Sequence, residues 1–177
     1  GEEPWVFVEI EGREAPTEVL NGQLPGFLAR FNQVDPDFFD LYAVPHLAGR
    51  QFEDAMEADA VLVNQNFAET LADDGGVGHA LGQRFRYVRA AEGEWNHGPR
   101  ADHWYEVVGV VGNLPGTTDA RVVYHAVAPG QIHPAHLQLR LRGGFEGAGL
   151  AERLRDAAAS VDPTLHVDEV RTLAEIY

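Results

Sequence analysis

The chain has 177 residues, 28 of them acidic and 13 basic, with a formal net charge of −15, 45% hydrophobic residues and no cysteine. That composition is globular and argues against wholesale disorder, while the missing cysteine excludes disulfides, thiolate nucleophiles and cysteine-based zinc sites. An acidic field repels phosphate backbones and anionic headgroups alike, and no apolar run reaches the roughly 20 residues of a spanning helix.

Every basic residue is arginine. This fits a GC-rich or salt-adapted genome, and the lack of thiols fits an oxidising compartment. The acidic Gly1-Glu2-Glu3 start is unlike a signal peptide. Without an initial Met, and with an abrupt Ile176-Tyr177 end, the chain reads as a piece of something longer.

Trp5 to Glu11 opens with alternation: Val6, Val8 and Ile10 share one side, so a half-buried strand is expected. A turn follows from Gly12, and residues 26–34 read as a second strand. Asp35-Pro36 starts a helix, because aspartate can cap free N–H groups and proline fits the first helical position. Phe38, Leu41 and Tyr42 then share a face, and Val44-Pro45 ends the helix. Gly49-Arg50 reads as a turn.

Ala60 to Asn64 (AVLVN) is a buried strand, and Asn64 is placed to cap the next helix, QNFAETLAD, with Phe67, Ala68 and Leu71 on its apolar face. Residues 83–89 alternate, with Phe85 and Tyr87 opposite Arg84 and Arg86. Residues 90–103 form a long hairpin loop, a kind that is either functional or mobile. Trp104 to Gly112 is the most apolar strand, and residues 122–127 are another. His136 to Arg142 (HLQLRLR) alternates cleanly, with Leu137, Leu139 and Leu141 expected inward. Residues 149–161 give a helix with Leu150, Leu154, Ala157, Ala158 and Val161 in one stripe, stopped by Asp162-Pro163. His166 to Val170 is a last strand. Strands and helices mixed in this order imply an α+β fold with one subdomain nested in another.

Chemistry finds no seat. The single serine, Ser160, lies late in a helix without a nucleophile elbow. His133 and His136, or His97 and His103 with Asp102 or Asp119, lack the spacing of a helical metal pair. Asp35 is explained as a cap, and Asp73-Asp74 as a solvated turn. Gly109-Val-Val-Gly112 lacks the lysine of a phosphate loop and reads as a strand whose glycines allow close packing. No catalytic residue, cofactor or metal is expected.

Six stretches, in order, resemble one family. Val34-Asp35-Pro36-Asp37-Phe38-Phe39 is similar to V-S-P-x-Y-F. Val44-Pro45-His46-Leu47-Ala48-Gly49-Arg50-Gln51-Phe52 is similar to I-P-L-L-x-G-R-x-F. Ala60-Val61-Leu62-Val63-Asn64-Gln65-Asn66-Phe67-Ala68 is similar to V-A-V-V-N-E-A-F-A. Val77-Gly78 with Leu81-Gly82 matches P-I-G-x-x-L. Glu106-Val107-Val108-Gly109-Val110-Val111-Gly112-Asn113 matches x-V-V-G-V-V-G-D. Val161-Asp162-Pro163 and the segment to Leu173 match the closing A-V-D-P-x-L-P-V-x-x-V-R-T-L. The family is the periplasmic core domain of MacB-type ABC transporter permeases, related to FtsX-like permeases. Gln65 departs from the usual glutamate, and residues 90–103 are an insertion.

The resemblance implies a porter-like subdomain of βαβ-type pieces, residues 1–52 plus 135–177, with a second mixed α/β subdomain, residues 53–134, inserted. It implies structural roles for Asp35, Pro36, Phe39, Gly49, Arg50, Phe52, Asn64, Phe67, Gly82, Gly109 and Gly112. It also implies a noncatalytic domain on the periplasmic face of the inner membrane, relaying conformational change. Its partners would be the membrane helices of the same chain, a cytoplasmic ATPase and a periplasmic adaptor protein, and the isolated piece would be a monomer that binds no nucleic acid. The alternative is a stand-alone extracytoplasmic ligand- or peptide-binding module, with Trp95 and Trp104 as an aromatic platform.

Overall fold

A computed structural model describes residues 5–14, 26–54, 57–72, 75–88, 100, 103–115, 119–127, 136–141 and 149–172. Two compact units divide the chain, Gly1–Leu137 and Gln138–Tyr177.

The first unit is built on seven strands: β1 (Trp5–Ile10), β2 (Phe27–Val34), β3 (His46–Gly49), β4 (Ala60–Asn64), β5 (Arg84–Tyr87), β6 (Trp104–Val111) and β7 (Val122–Ala126). Helix α1 (Phe38–Tyr42) follows β2, and α2 (Gln65–Ala72) follows β4 directly. The strand order is β3-β6-β4-β7-β2-β1-β5, and β5 also pairs with β6. That last pairing closes β1, β2, β7, β4, β6 and β5 into a ring. Only β2 with β7 and β4 with β6 run parallel. Closure leaves the six ring strands without the free edges of an open sheet, and β3 lies outside the ring against β6. One sheet joins β1 and β2, from the range expected as the porter part, to β4–β7, from the range expected as the inserted part.

Alternation decides which side chains line the ring. Val8 lies opposite Tyr87, Ile10 opposite Phe85, Phe85 opposite Tyr105, and Val61 opposite Val107 and His125. These belong to one buried cluster or border it, and Phe67, Ala68 and Leu71 of α2 complete that cluster. On the outer side, Leu62, Val122 and Tyr124 meet Phe39 of α1, Phe52 and Val111 in a second cluster. Phe39 stacks edge-on against Tyr124 with ring centroids 5.0 Å apart.

Helix α1 begins at Phe38, not at Pro36 as the capping pattern suggests. The Asp35 carboxylate still serves the turn: its Oδ1 accepts the Asp37 N–H at 2.8 Å. The helix ends as expected. Ala43 adopts a left-handed conformation (φ 52°), and the N–H of Val44 reaches back to the Phe39 carbonyl at 3.0 Å. A strand, β3, follows where only a turn was expected. Its residues are mostly exposed, so no burial pattern announced it.

In the second unit, α3 (Leu150–Val161) ends at Asp162, whose carboxylate accepts both the N–H and the hydroxyl of Thr164 at 2.8 Å. Those bonds hold the Asp162 carboxyl below its ordinary value. Leu150, Leu154 and Ala158 of the expected stripe are half-buried, but Ala157 and Val161 are exposed. Two expected strands are absent. Residues 136–141 pair with no described strand, and Leu137 remains 82% exposed. Residues 166–170 likewise form no ladder. Alternation makes a strand only where a neighbouring edge supplies hydrogen bonds, and neither segment has one among the described residues. Most of the expected loop 90–103 lies outside the described residues, as does Arg142.

Candidate functional site

Several of the expected family residues, Gly49, Arg50, Gly109 and Gly112, converge where β3 lies on β6. Gly49 faces Gly109 across the pair. Gly49 has φ +76°, and a Cβ there would stand 2.3 Å from the Val108 carbonyl oxygen; one on Gly109 would stand 2.1 Å from the Arg50 carbonyl oxygen. Both positions therefore require glycine, for conformation at the first and for close approach at both. The Arg50 N–H donates to the Val108 carbonyl at 3.0 Å, and the Gly112 N–H to the Pro45 carbonyl at 2.8 Å. Gly82 lies in the turn before β5, and its N–H donates to the Val107 carbonyl at 2.9 Å.

Beyond the seam, Arg50 clamps the chain to Glu57. Its Nη2 donates to Oε2 at 2.6 Å and its Nη1 to Oε1 at 3.2 Å, a bidentate fork. Glu57 Oε1 also accepts the Asp54 N–H at 3.1 Å and the Glu53 N–H. The hydrogen bond from Arg50 is the main cause holding the Glu57 carboxyl below its ordinary value, and the same bond raises Arg50. Between them Phe52 turns inward and joins Phe39 in the outer cluster. Gly49, Arg50, Phe52, Gly109 and Gly112 thus form one assembly, while Asp35 and Pro36 only shape the turn before α1. Sequence reasoning missed Glu57, because a carboxylate seven residues after an arginine follows no helical or strand spacing.

Asn64 does what the sequence expects and more. Its Oδ1 accepts the Phe67 N–H at 3.1 Å, capping α2, and also the Val122 N–H at 2.8 Å. Its Nδ2 donates to the Ala120 carbonyl at 2.7 Å and to Asn113 Oδ1 at 2.8 Å. Asn113 Nδ2 donates in turn to Asn66 Oδ1 at 2.8 Å. This amide network ties the start of α2 to the segment before β7, and Phe67 is buried directly behind it. Asn66 and Asn113 were missed; a loop asparagine carries no signal until its partner is known.

Inside the ring, the Tyr87 hydroxyl and His125 Nε2 are 2.7 Å apart, both side chains buried. Phe31 and Tyr105 enclose the imidazole, with ring centroids 5.2 and 4.8 Å away. Burial alone pulls His125 down to about 3, and burial pushes the Tyr87 phenol well above its ordinary value. A neutral imidazole whose Nε2 accepts a hydrogen bond from the Tyr87 hydroxyl pairs the two groups without charge. A histidine within the buried run VVYHA was the available signal.

On the outside, Trp104 lies between two guanidiniums, Arg84 at 5.5 Å and Arg86 at 5.2 Å from its ring. Arg86 pairs with Glu9 at 2.7 Å and Arg84 with Glu11 at 3.2 Å. Trp95 lies outside the described residues, so the expected platform of two tryptophans is represented by Trp104 alone. His103 pairs with Asp59 at 2.7 Å, and the Ser160 hydroxyl donates to the Ala157 carbonyl at 2.7 Å. Among the described residues no group of three histidine, aspartate or glutamate side chains gathers as a metal site would. Among the same residues no helix is long and apolar enough to cross a membrane.

These observations define a mixed α/β domain whose polar residues tie its strands and loops together through hydrogen bonds. The chain belongs to the MacB-like periplasmic core domain family, whose model matches residues 4–172. It is therefore a periplasmic domain of the kind found in MacB-like ABC transporter permeases. Two solved structures share the fold. One is a domain assigned to a permease protein of Porphyromonas gingivalis, 16% identical, with a TM-score of 0.52; the match covers 98% of this chain and 81% of that one. The other is the periplasmic region of MacB from Actinobacillus actinomycetemcomitans, 11% identical, with a TM-score of 0.54, covering 90% of this chain. Of that MacB region, the match spans 64%. No curated protein matches the chain.

Proposed function

We propose that this domain is a noncatalytic relay of its permease, carrying movement at the membrane to an external surface that meets substrate or partner proteins. The partners in this reading are the membrane helices of the same permease, a cytoplasmic ATPase that hydrolyses ATP, and a periplasmic adaptor protein. The observation that supports it is the division into two compact units, 1–137 and 138–177. A relay needs bodies that hold their own shape while their arrangement changes. The first unit meets that need through ring closure and the clamps at Arg50 and Asn64.

The test uses the full permease with its ATPase, carrying spin labels at Glu69 on α2 and Asp156 on α3, both exposed. The distance distribution between labels is measured without nucleotide and with ATP bound. The relay predicts a displaced distribution in the ATP state. Superimposable distributions would remove the relay and leave a static domain.

A further inference from the structure

Part of the ring's outer face carries a cation with no carboxylate to match it among the described residues. Trp5 and Arg30 are neighbours across β1 and β2, and Phe7 and Leu28 are the next pair on the same face. Facing pairs of an antiparallel ladder project to one side, so these four side chains form a continuous patch. Phe7, Leu28 and Arg30 are half-buried, and Trp5 is 47% exposed. Helix α1 packs on the outer cluster, which includes Val34 at the far end of β2 but none of these four residues.

The arginine is the informative member. Its Cζ lies 4.6 Å from the centre of the Trp5 ring. Its Nε is buried and has no hydrogen-bond acceptor among the described residues. The other two arginines on this outer face are compensated, Arg84 by Glu11 and Arg86 by Glu9. An unsatisfied buried donor calls for an explanation, and the half-buried guanidinium that carries it has no anion beside it among the described residues. It is more notable in a chain of net charge −15 with 28 carboxylates available.

We propose that the Trp5–Arg30 corner is a docking site for a protein segment bearing a carboxylate beside an apolar side chain. The carboxylate would take the exposed edge of the Arg30 guanidinium, a geometry that arginine serves with two parallel hydrogen bonds. The apolar neighbour would lie on Trp5, Phe7 and Leu28. Trp and Arg are the residues most often found to dominate protein interfaces. Charge complementarity selects the partner: an acidic segment is repelled by the protein as a whole, so it is held only where a cation is uncompensated. The inference needs only the geometry of β1 and β2 and is independent of the relay.

The experiment is NMR on the isotope-labelled chain, following the Arg30 Nε–H and the Trp5 indole N–H. The probes are a short peptide of alternating leucine and glutamate, the same peptide with glutamine for glutamate, and inorganic phosphate. The glutamate peptide is expected to shift both signals. The glutamine peptide should bind about tenfold or more weakly, the loss of one charge-assisted pair. Arg30→Gln should remove the difference between the peptides, and Arg30→Lys, which keeps charge but not the fork, should restore only part of it. Equal binding of both peptides, or no shift at either signal, overturns the proposal. Phosphate binding as tightly as the glutamate peptide overturns it in favour of a small-anion site. A concentration-dependent dimer in sedimentation that Trp5→Ala abolishes overturns it in favour of a second copy of this chain.

Discussion

His125 makes the ring sensitive to acid. Its imidazole is enclosed by Phe31, Tyr87 and Tyr105, and burial depresses it to about 3, well below the ordinary histidine value. The folded state therefore holds His125 neutral, whereas the unfolded chain takes up a proton below about pH 6.5. Stability from this group is fully present above that value and is lost as pH falls from it towards 3. The loss is about 1.4 kcal/mol per pH unit, so about 2 kcal/mol is gone by pH 5. The comparison is with a variant that cannot charge at this position. His125→Gln keeps an acceptor for the Tyr87 hydroxyl but cannot charge. Urea unfolding, followed by tryptophan fluorescence at about pH 7.5 and pH 5, gives the four stabilities required. The native protein should lose about 2 kcal/mol more than His125→Gln over that interval. Equal losses would mean that the imidazole is hydrated in the native state, and the buried pair would have to be abandoned.

The amide network predicts that Asn64→Ala costs about 2–3 kcal/mol in chemical denaturation, since it removes the α2 cap and leaves the buried Val122 N–H without its acceptor, while the Ala120 carbonyl keeps only the Asn66 amide. Gly109→Ala places a Cβ against the Arg50 carbonyl, so β3 should lift from β6. Hydrogen exchange at the Arg50 and Gly112 amides would then accelerate while the amides of β1 and β2 keep their protection. Arg50→Ala should cost only about 0.5–1 kcal/mol, because the Arg50 side chain is 42% exposed and solvent screens the pair. It should nevertheless make residues 50–57 a preferred site of limited proteolysis. Since Glu57 is held below its ordinary value, its contribution is present above about pH 4 and is lost as pH falls through the folded value, so the native and Arg50→Ala stabilities should converge in acid.

What the sequence disclosed depended on whether the signal was local. The alternation of Trp5–Ile10 and Arg84–Tyr87, and the cap at Asn64, are satisfied within one element or across one ladder, and they appear as expected. The end of α1 was legible because Val44-Pro45 resists helix on its own. The β5–β6 hairpin was legible as two strands on either side of a long loop, but ring closure was not, since it also rests on β1 meeting β5, far apart in sequence. β3 escaped because a short exposed strand beside glycines lacks the burial that makes a pattern. The reverse error came from HLQLRLR, where perfect alternation finds no neighbouring edge among the described residues. The family glycines were legible as glycines, but their reason, two backbones brought within reach of a missing Cβ, is a property of the β3–β6 pair. The Glu57 clamp and the asparagine network join residues with no fixed spacing, and only the fold brings them together.

The relay is tested most directly in the full transporter, reconstituted in vesicles, with residues 1–177 replaced by a flexible linker. Basal ATP hydrolysis and ATP-dependent transport are then measured side by side against the intact protein. A noncatalytic relay predicts that hydrolysis persists while transport is lost. Transport at the intact rate, or loss of hydrolysis from a correctly folded and assembled transporter, would contradict it.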